Sequence, residues 1–294
     1  MALSPIQGPA WQRFTLANWQ IIALSDGTTT VDLNQVVLAR TAQELAPFME
    51  AAGLTNPVSI AINAYLLDDG TRRLLLDTGA GDLLGSTAGQ LLASLVQAGY
   101  QPEQIDAVLL THIHGDHSGG LLTGAELAFP NAELYVNALD ANYWLSEANQ
   151  QQAPAARQRS FANACRKVLP YQLAGRLHTF MAGGEVLPGV GTMAQPGHTP
   201  GHTYYTLPGT SPRVVFCADL AHLLALQLAD PTIALVYDVD PDQTIASRQR
   251  FLAEASAAGY WLVAAHASFP GVGRVEAVGA GYRWQPLSPD KEAL

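Results

Sequence analysis

Cysteine, positive charge and long apolar runs are all scarce in this 294-residue sequence. Two cysteines, Cys165 and Cys217, are too few for a disulfide scaffold, and neither stands in a Cys-X-X-Cys pair. Cys217 sits inside an apolar strand-like run and reads as a packed, inert thiol. Charged residues make up only 14%, with 15 Lys and Arg against 25 Asp and Glu, a net charge of -10. Phosphate recognition draws on clustered Lys and Arg, and no such cluster is present, so a nucleic-acid partner is not expected. No apolar run approaches the length of a membrane span, and Met1–Phe14 lacks a basic patch followed by an apolar core. The expectation is a soluble, cytoplasmic protein with no membrane partner; a periplasmic or secreted protein trimmed of its leader would read the same way.

A hydrophobic content of 48% is ample for a sizeable core. Phe14–Ser25, Val58–Leu67 and Arg72–Leu76 read as strands, and between the first two the Thr41-X-X-Glu44 capping box starts a helix. Ser86–Ala98 carries a helical stripe, Ile105–Leu110 reads as a strand, and Asp116 opens a short helix. After a strand at Glu133–Asn137, the stretch Asp140–Leu169 is mostly helical and interrupted at Pro154. Strands near residues 190, 204 and 214, a helix at Gln243–Ala257 and a strand ending at His266 complete an α/β pattern. No linker divides it, so residues 1–294 are expected to be one catalytic domain.

Thr111-His112-Ile113-His114-Gly115-Asp116-His117 places four metal-capable side chains directly behind the apolar run Val108-Leu109-Leu110. His112 and His114 have room to close on one ion while Asp116 and His117 reach a neighbouring one. Imidazole with carboxylate suits zinc or a similar first-row metal, and two adjacent ions suggest hydrolysis. Further candidates stand at the ends of short β-rich runs: His198 after Val190–Ala194, Asp219 after Val214–Ala218 and His266 after Trp261–Ala265. Strand ends of this kind form the ligand-binding edge of an open α/β sheet.

The order His-X-His-X-Asp-His, Gly-His-Thr, a lone Asp after a strand and a late His resembles the ligand set of the metallo-β-lactamase superfamily. The resemblance implies an αβ/βα sandwich of two mixed β-sheets flanked by helices. It implies two divalent ions, Zn2+ first, with Co2+, Mn2+ or Fe2+ as alternatives. His112, His114 and His198 would hold one, Asp116, His117 and His266 the other, and Asp219 would bridge them. Asp77 in Leu76-Asp77-Thr78-Gly79 matches an acid that orients a ligand histidine. Stretches that carry no ligands, among them Ala23–Thr28, Ala98–Gln104, Tyr143–Ser146 and Phe269–Gly273, resemble the methyl parathion hydrolase branch and its lactonase-like relatives. That branch implies a homodimer and a small, neutral, hydrophobic substrate.

Two neighbouring ions acidify a shared water, so no protein nucleophile is needed, and no Gly-X-Ser-X-Gly elbow is present. Asp116 is the candidate for moving a proton, or is a ligand only. His222, three residues after Asp219, either donates a hydrogen bond to a substrate carbonyl or leaving oxygen or is structural. His202 is the candidate brace of the His198 turn, and His178 is read as structural. For substrate contact the resemblance points to Leu84, where methyl parathion hydrolase proper carries an aromatic, and to Trp144 as a rim residue or, alternatively, a core tryptophan. Leu84 and His222 favour lactones or aryl esters, with promiscuous organophosphate triester hydrolysis. A dedicated phosphotriesterase is the second reading. Asp219 argues against a true β-lactamase, and the 28 residues after His266 are too few for the helical domain of a glyoxalase II type thioesterase. The complete ligand set argues against a non-catalytic metal-binding module.

Overall fold

The structure, a computed structural model, describes residues 10–287; most of the amino-terminal stretch read for a leader lies outside the described residues. Along the chain, β1 (Trp11–Leu16) and β2 (Trp19–Val31) lead through α1 (Leu33–Val36) and α2 (Ala42–Ala52) to β3 (Val58–Asp68) and β4 (Arg73–Leu76). Next come α3 (Leu91–Gln97), β5 (Ala107–Leu109), α4 (Gly115–Ser118), a small ladder of β6 (Leu122–Thr123) with β7 (Glu126–Leu127), and β8 (Glu133–Asn137). Three helices, α5 (Ala138–Trp144), α6 (Glu147–Gln152) and α7 (Ala155–Leu173), precede β9 (Leu177–Phe180). Then follow β10 (Glu185–Leu187), β11 (Val190–Ala194), β12 (Thr203–Leu207) and β13 (Val214–Ala218). The chain closes with α8 (Leu224–Ala229), α9 (Pro241–Ala258), β14 (Trp261–Ala264), β15 (Val272–Val278) and β16 (Gly281–Pro286).

Two mixed seven-stranded sheets result, ordered β1-β2-β3-β4-β5-β8-β9 and β10-β11-β12-β13-β14-β15-β16. They are the two helix-flanked mixed sheets that the sequence resemblance implies. Among the described residues, 10–27 and 62–182 form one compact unit, and 28–61 and 183–287 form another. Strand β2 begins in the first unit and ends in the second, and β3 makes the reverse passage. None of the described helices is long and apolar enough to cross a membrane.

Parallel pairing is what gathers the functional loops within each unit. In the first, β4 pairs parallel with β5 and β5 with β8, so Asp77 and the Thr111–His117 loop leave the same sheet edge. In the second, β13 and β14 are the parallel neighbours, and Asp219 and His266 leave a common edge. Both of these strands are buried throughout, as continuous apolar runs require, and Phe251, Leu252 and Ala255 of α9 share a core with Val215, Cys217, Leu262 and Ala264.

Three expectations are corrected. Phe14–Ser25 is a hairpin rather than one strand: Trp19 pairs back on Leu16, and Ala17 adopts φ 51, a conformation that alanine does not announce. The helical stripe at Ser86 becomes helix only at Leu91. Gly85 and Gly89 adopt φ of 82 and 78, and the Asp26 carboxylate accepts the N–H groups of Ala80, Gly89 and Leu91, so residues 79–90 form a pinned loop. The helical middle breaks at Ser146, which caps α6 by accepting the Asn149 N–H, as well as at Pro154, and it continues through Pro170.

Asp26 is fully buried, and burial pushes its carboxyl up to about 6 against the opposing effect of its three N–H donors. Between 3.8, where an unfolded chain releases this proton, and about 6, the folded chain still binds it. Stability therefore falls as pH rises through that window and is level above it. Asp26→Asn should flatten this slope in the metal-free protein, as measured by denaturant midpoints at a series of pH values. An unchanged pH profile would contradict the assignment.

Candidate metal centre

In the first unit, one acid shapes the loop after β5. Asp77, at φ 61, accepts the Thr111 N–H on Oδ1 and the Thr111 hydroxyl on Oδ2, each at 2.8 Å. His117 Nδ1 donates to the same Oδ2 at 2.8 Å. A carboxylate only accepts, so this contact fixes the His117 tautomer with its lone pair on Nε2, which lies 3.7 Å from Asp116 Oδ2. The Thr111 hydroxyl gives its hydrogen to Asp77, so in its 3.1 Å contact with His112 Nδ1 the ring donates, and that lone pair also falls on Nε2. Between the two histidines, Ile113 donates its N–H to the buried Asp140 of α5 at 2.9 Å. Ser118 donates from both its N–H and its hydroxyl to the His114 carbonyl, closing the turn. The His112 ring lies 4.7 Å from His114 and 4.1 Å from His117 between centroids.

In the second unit Asp219 follows Ala218, which is held at φ 34. Its Oδ2 lies 3.1 Å from His198 Nε2 and 3.0 Å from His222 Nε2, and its Oδ1 3.2 Å from His266 Nε2. The far nitrogens are held as well. His198 Nδ1 donates to Asp238 Oδ1 at 2.9 Å, and His266 Nδ1 donates to the Ala61 carbonyl at 2.8 Å. Asp238 is itself oriented by the Leu235 N–H on its other oxygen. His222 stacks on His266 at 4.8 Å, and its turn is fixed by Gln227, whose Oε1 accepts the N–H groups of His222 and Leu223. Buried Arg248 ties the same region by donating to the carbonyls of Leu220 and Ile233.

These environments set the protonation of the rings. At His198 burial disfavours the imidazolium, but Asp219 and Asp238 outweigh it and lift the pKa to about 9. At His222 burial prevails and the pKa falls. A histidine whose Nδ1–H is held by a carboxylate, hydroxyl or carbonyl, and whose Nε2 faces other ligands, is the arrangement a divalent ion requires. His112, His117, His198 and His266 all have the held Nδ1–H, and Nε2 faces Asp116 at His117 and Asp219 at His198 and His266. The donor set in each unit therefore fits a metal.

The remaining sequence candidates are distributed as follows. His202 shapes the His198 turn through its backbone, accepting from Gln195 and donating to Thr199, and its ring meets His198 edge-on at 5.4 Å. Trp144 is fully buried, backing the His114 ring at 5.2 Å with Tyr143 and Phe161 around it, so it is a wall behind a candidate ligand rather than an exposed rim. Leu84 stands on the exposed tip of the 79–90 loop. Burial drives the Cys217 thiol far up, and His178 pairs at the surface with Glu133. Asp140, Asp238, Gln227 and Arg248 carry no motif spacing. Asp238 precedes Val239-Asp240-Pro241, where an acid reads as a helix cap, and Asp240 is in fact the cap of α9.

The metallo-beta-lactamase superfamily model matches residues 60–266. The crystal structure of hydrolase AbOPH, in the beta lactamase superfamily, is similar with a TM-score of 0.89 at 30% identity, covering 96% of this chain and 99% of that one. AidC, a dizinc quorum-quenching lactonase in complex with a product, shares the fold with a TM-score of 0.87 at 24% identity, covering 95% and 98%. Among curated proteins, an N-acyl homoserine lactonase of Bacillus sp is 27% identical over 164 residues, 49% of this chain and 57% of that protein. The uncharacterized protein YobT of Bacillus subtilis (strain 168) is 28% identical over 145 residues, 49% and 56%. The chain spans about half the length of these two curated relatives.

The Asp238 contact generates a direct test. Asp238→Asn removes the charge that holds His198 without opening a cavity, and it should weaken metal affinity by about 10- to 100-fold. Competition with a chromogenic chelator reads this. Affinity equal to that of the parent protein would show that the contact does not orient a ligand.

Proposed function

Because the chain belongs to the metallo-β-lactamase superfamily, we propose that it is a dinuclear metal-dependent hydrolase that opens lactones or cleaves aryl esters. The observation that carries this reading is the set of imidazoles anchored through Nδ1, with Asp219 facing two of them, His198 and His266, and His222 besides. In this reading His112, His114 and His198 would hold one ion, Asp116, His117 and His266 would hold the other, and Asp219 would be shared between them. Zinc suits the donor set best, with cobalt, manganese or iron as alternatives. When bound, such a pair supplies Lewis acidity to a carbonyl oxygen and lowers the pKa of a water towards neutrality.

The protein's own residues supply orientation and proton movement. Asp77 and Asp238 take the Nδ1–H of His117 and His198 and so leave Nε2 as the atom that would ligate; at His198, whose pKa is lifted to about 9, the Nε2 proton would be displaced by an ion. Asp116 is half-buried beside His117 and carries the proton from the attacking water to the leaving oxygen. Burial lowers the pKa of His222, whose Nε2 lies 3.0 Å from Asp219 Oδ2, and in this reading the ring donates a hydrogen bond to the carbonyl or leaving oxygen once Asp219 is engaged by the ions. A neutral, apolar acyl lactone or ester is the substrate class, supported by the likeness to N-acyl homoserine lactonases and by a net charge of -10 that disfavours anions. Phosphotriester hydrolysis accompanies it as a weaker activity, since a polar imidazole in the pocket serves a carbonyl better than a bulky apolar ester arm.

Lactone and aryl-ester hydrolysis should disappear on chelation and return with zinc, cobalt or manganese, and Asp219→Ala should lose most turnover and one metal equivalent. Activity that survives exhaustive chelation, or Asp219→Ala with full metal content and near-parental rate, would refute the reading. A second comparison isolates His222: His222→Leu should lower lactone turnover and raise phosphotriester turnover relative to it, a shift of about 1 to 3 kcal/mol in kcat/KM ratio. Parallel kinetics on both substrates decide it, and a parallel fall in the two activities contradicts a role in selectivity.

A further inference from the structure

The 79–90 loop is held at its base by backbone contacts. Thr78 donates to the His117 carbonyl, Gly120 donates to the Gly79 carbonyl, and the Asp26 carboxylate takes the amides of Ala80 and Gly89 in the loop and of Leu91 at the start of α3. Its tip, residues 84–87, is exposed. Leu83 lies inward of that tip: a Cβ on Gly115 would come 3.1 Å from Leu83 Cδ1, so the leucine rests against the turn between His114 and Asp116. The tip has one side-chain tether among the described contacts, the carboxylate of Asp82. Arg166 grips it with two nitrogens at 2.9 and 3.1 Å, and Lys167 Nζ reaches it at 2.7 Å.

Exposed ion pairs ordinarily fix little, and Asp82 is 58% exposed. Two features set this one apart. The Arg166 contact is bidentate, which fixes the direction of the carboxylate. The Lys167 side chain is only 1% exposed, so Asp82 lies over a buried ammonium whose charge requires a partner. Arg166 and Lys167 hold the Asp82 carboxyl well below the usual carboxylate range, keeping it charged at working pH. Both cations ride on α7, whose Phe161 packs on Trp144, and Trp144 backs His114. One helix thus supports a candidate ligand on one side and ties down the loop tip beside it on the other.

We infer that Asp82 is a positioning residue: clamped to Arg166 and Lys167, it fixes Leu83 and Leu84 beside the His114–Asp116 turn and so sets which apolar chains are accepted. The inference rests on the acyl lactone or ester reading for its substrate class. Freeing the clamp lets the tip swing, which removes the apolar contact from a long chain and leaves a short one, bound through its reacting end, nearly unaffected.

The experiment compares the metal-loaded parent protein with Asp82→Asn, Asp82→Glu and Arg166→Gln. Amide hydrogen exchange at residues 82–87 is measured alongside kcat and KM for a short-chain and a long-chain N-acyl homoserine lactone, and for the matching aryl esters. Asp82→Asn should speed exchange at the tip by about tenfold, raise KM for the long chain by about tenfold and leave the short-chain constants within about twofold. Asp82→Glu should restore both readouts. Arg166→Gln leaves Lys167 covered, so a shift of the same kind there excludes a folding defect from an uncompensated lysine. Unchanged exchange at 82–87, or an unchanged chain-length preference, overturns the inference. A parent protein that turns over neither substrate class overturns the functional reading and the selectivity with it, while the exchange data still decide whether Asp82 clamps the loop.

Discussion

An imidazole can bind a cation from inside a protein only if its other nitrogen has somewhere to place a proton. In this chain the hydrogen bond from Nδ1 meets that condition, and much of the surrounding architecture exists to supply the acceptor. Asp77 serves His117 directly and His112 through the Thr111 hydroxyl, while Asp238 serves His198. The parallel strand pairs matter because β4 beside β5 brings Asp77 to the same edge as the Thr111–His117 loop, and β13 beside β14 brings Asp219 to the same edge as His266. Backbone conformations that would otherwise be avoided, Asp77 at φ 61 and Ala218 at φ 34, occur at those edges, where side chains must turn sharply out of the sheet.

Legibility in the sequence followed the range of the interaction. The metal-capable residues were readable because they cluster locally, as in His112 to His117, or because each stands directly behind a short apolar strand, as Asp219 and His266 do. Asp77 was readable only through a resemblance. Asp238 and Asp140 act across 40 and 27 residues of chain through single hydrogen bonds, and a lone aspartate before a helix carries no periodicity that would separate an orienting acid from a cap. The loop at Ser86 was misread for a related reason. Its local pattern is helical, and what opposes it is Asp26, which captures the Gly89 and Leu91 amides from more than 60 positions away.

The alternation of strands and helices was legible because its signals are local. Alternating apolar strands and capped helices, such as the Thr41–Glu44 box at α2, give an α/β pattern, and the two mixed sheets came from the family resemblance. The division into two units leaves no mark in composition, because each unit draws on separated stretches of the chain and no polar linker joins them.

Strands β2 and β3 pass from one unit to the other partway along their length. A break of the chain at these boundaries would fall inside paired strands rather than in loops. The unit boundaries are therefore poor places to break or rejoin the chain, and exposed loop tips such as residues 84–87 are better ones.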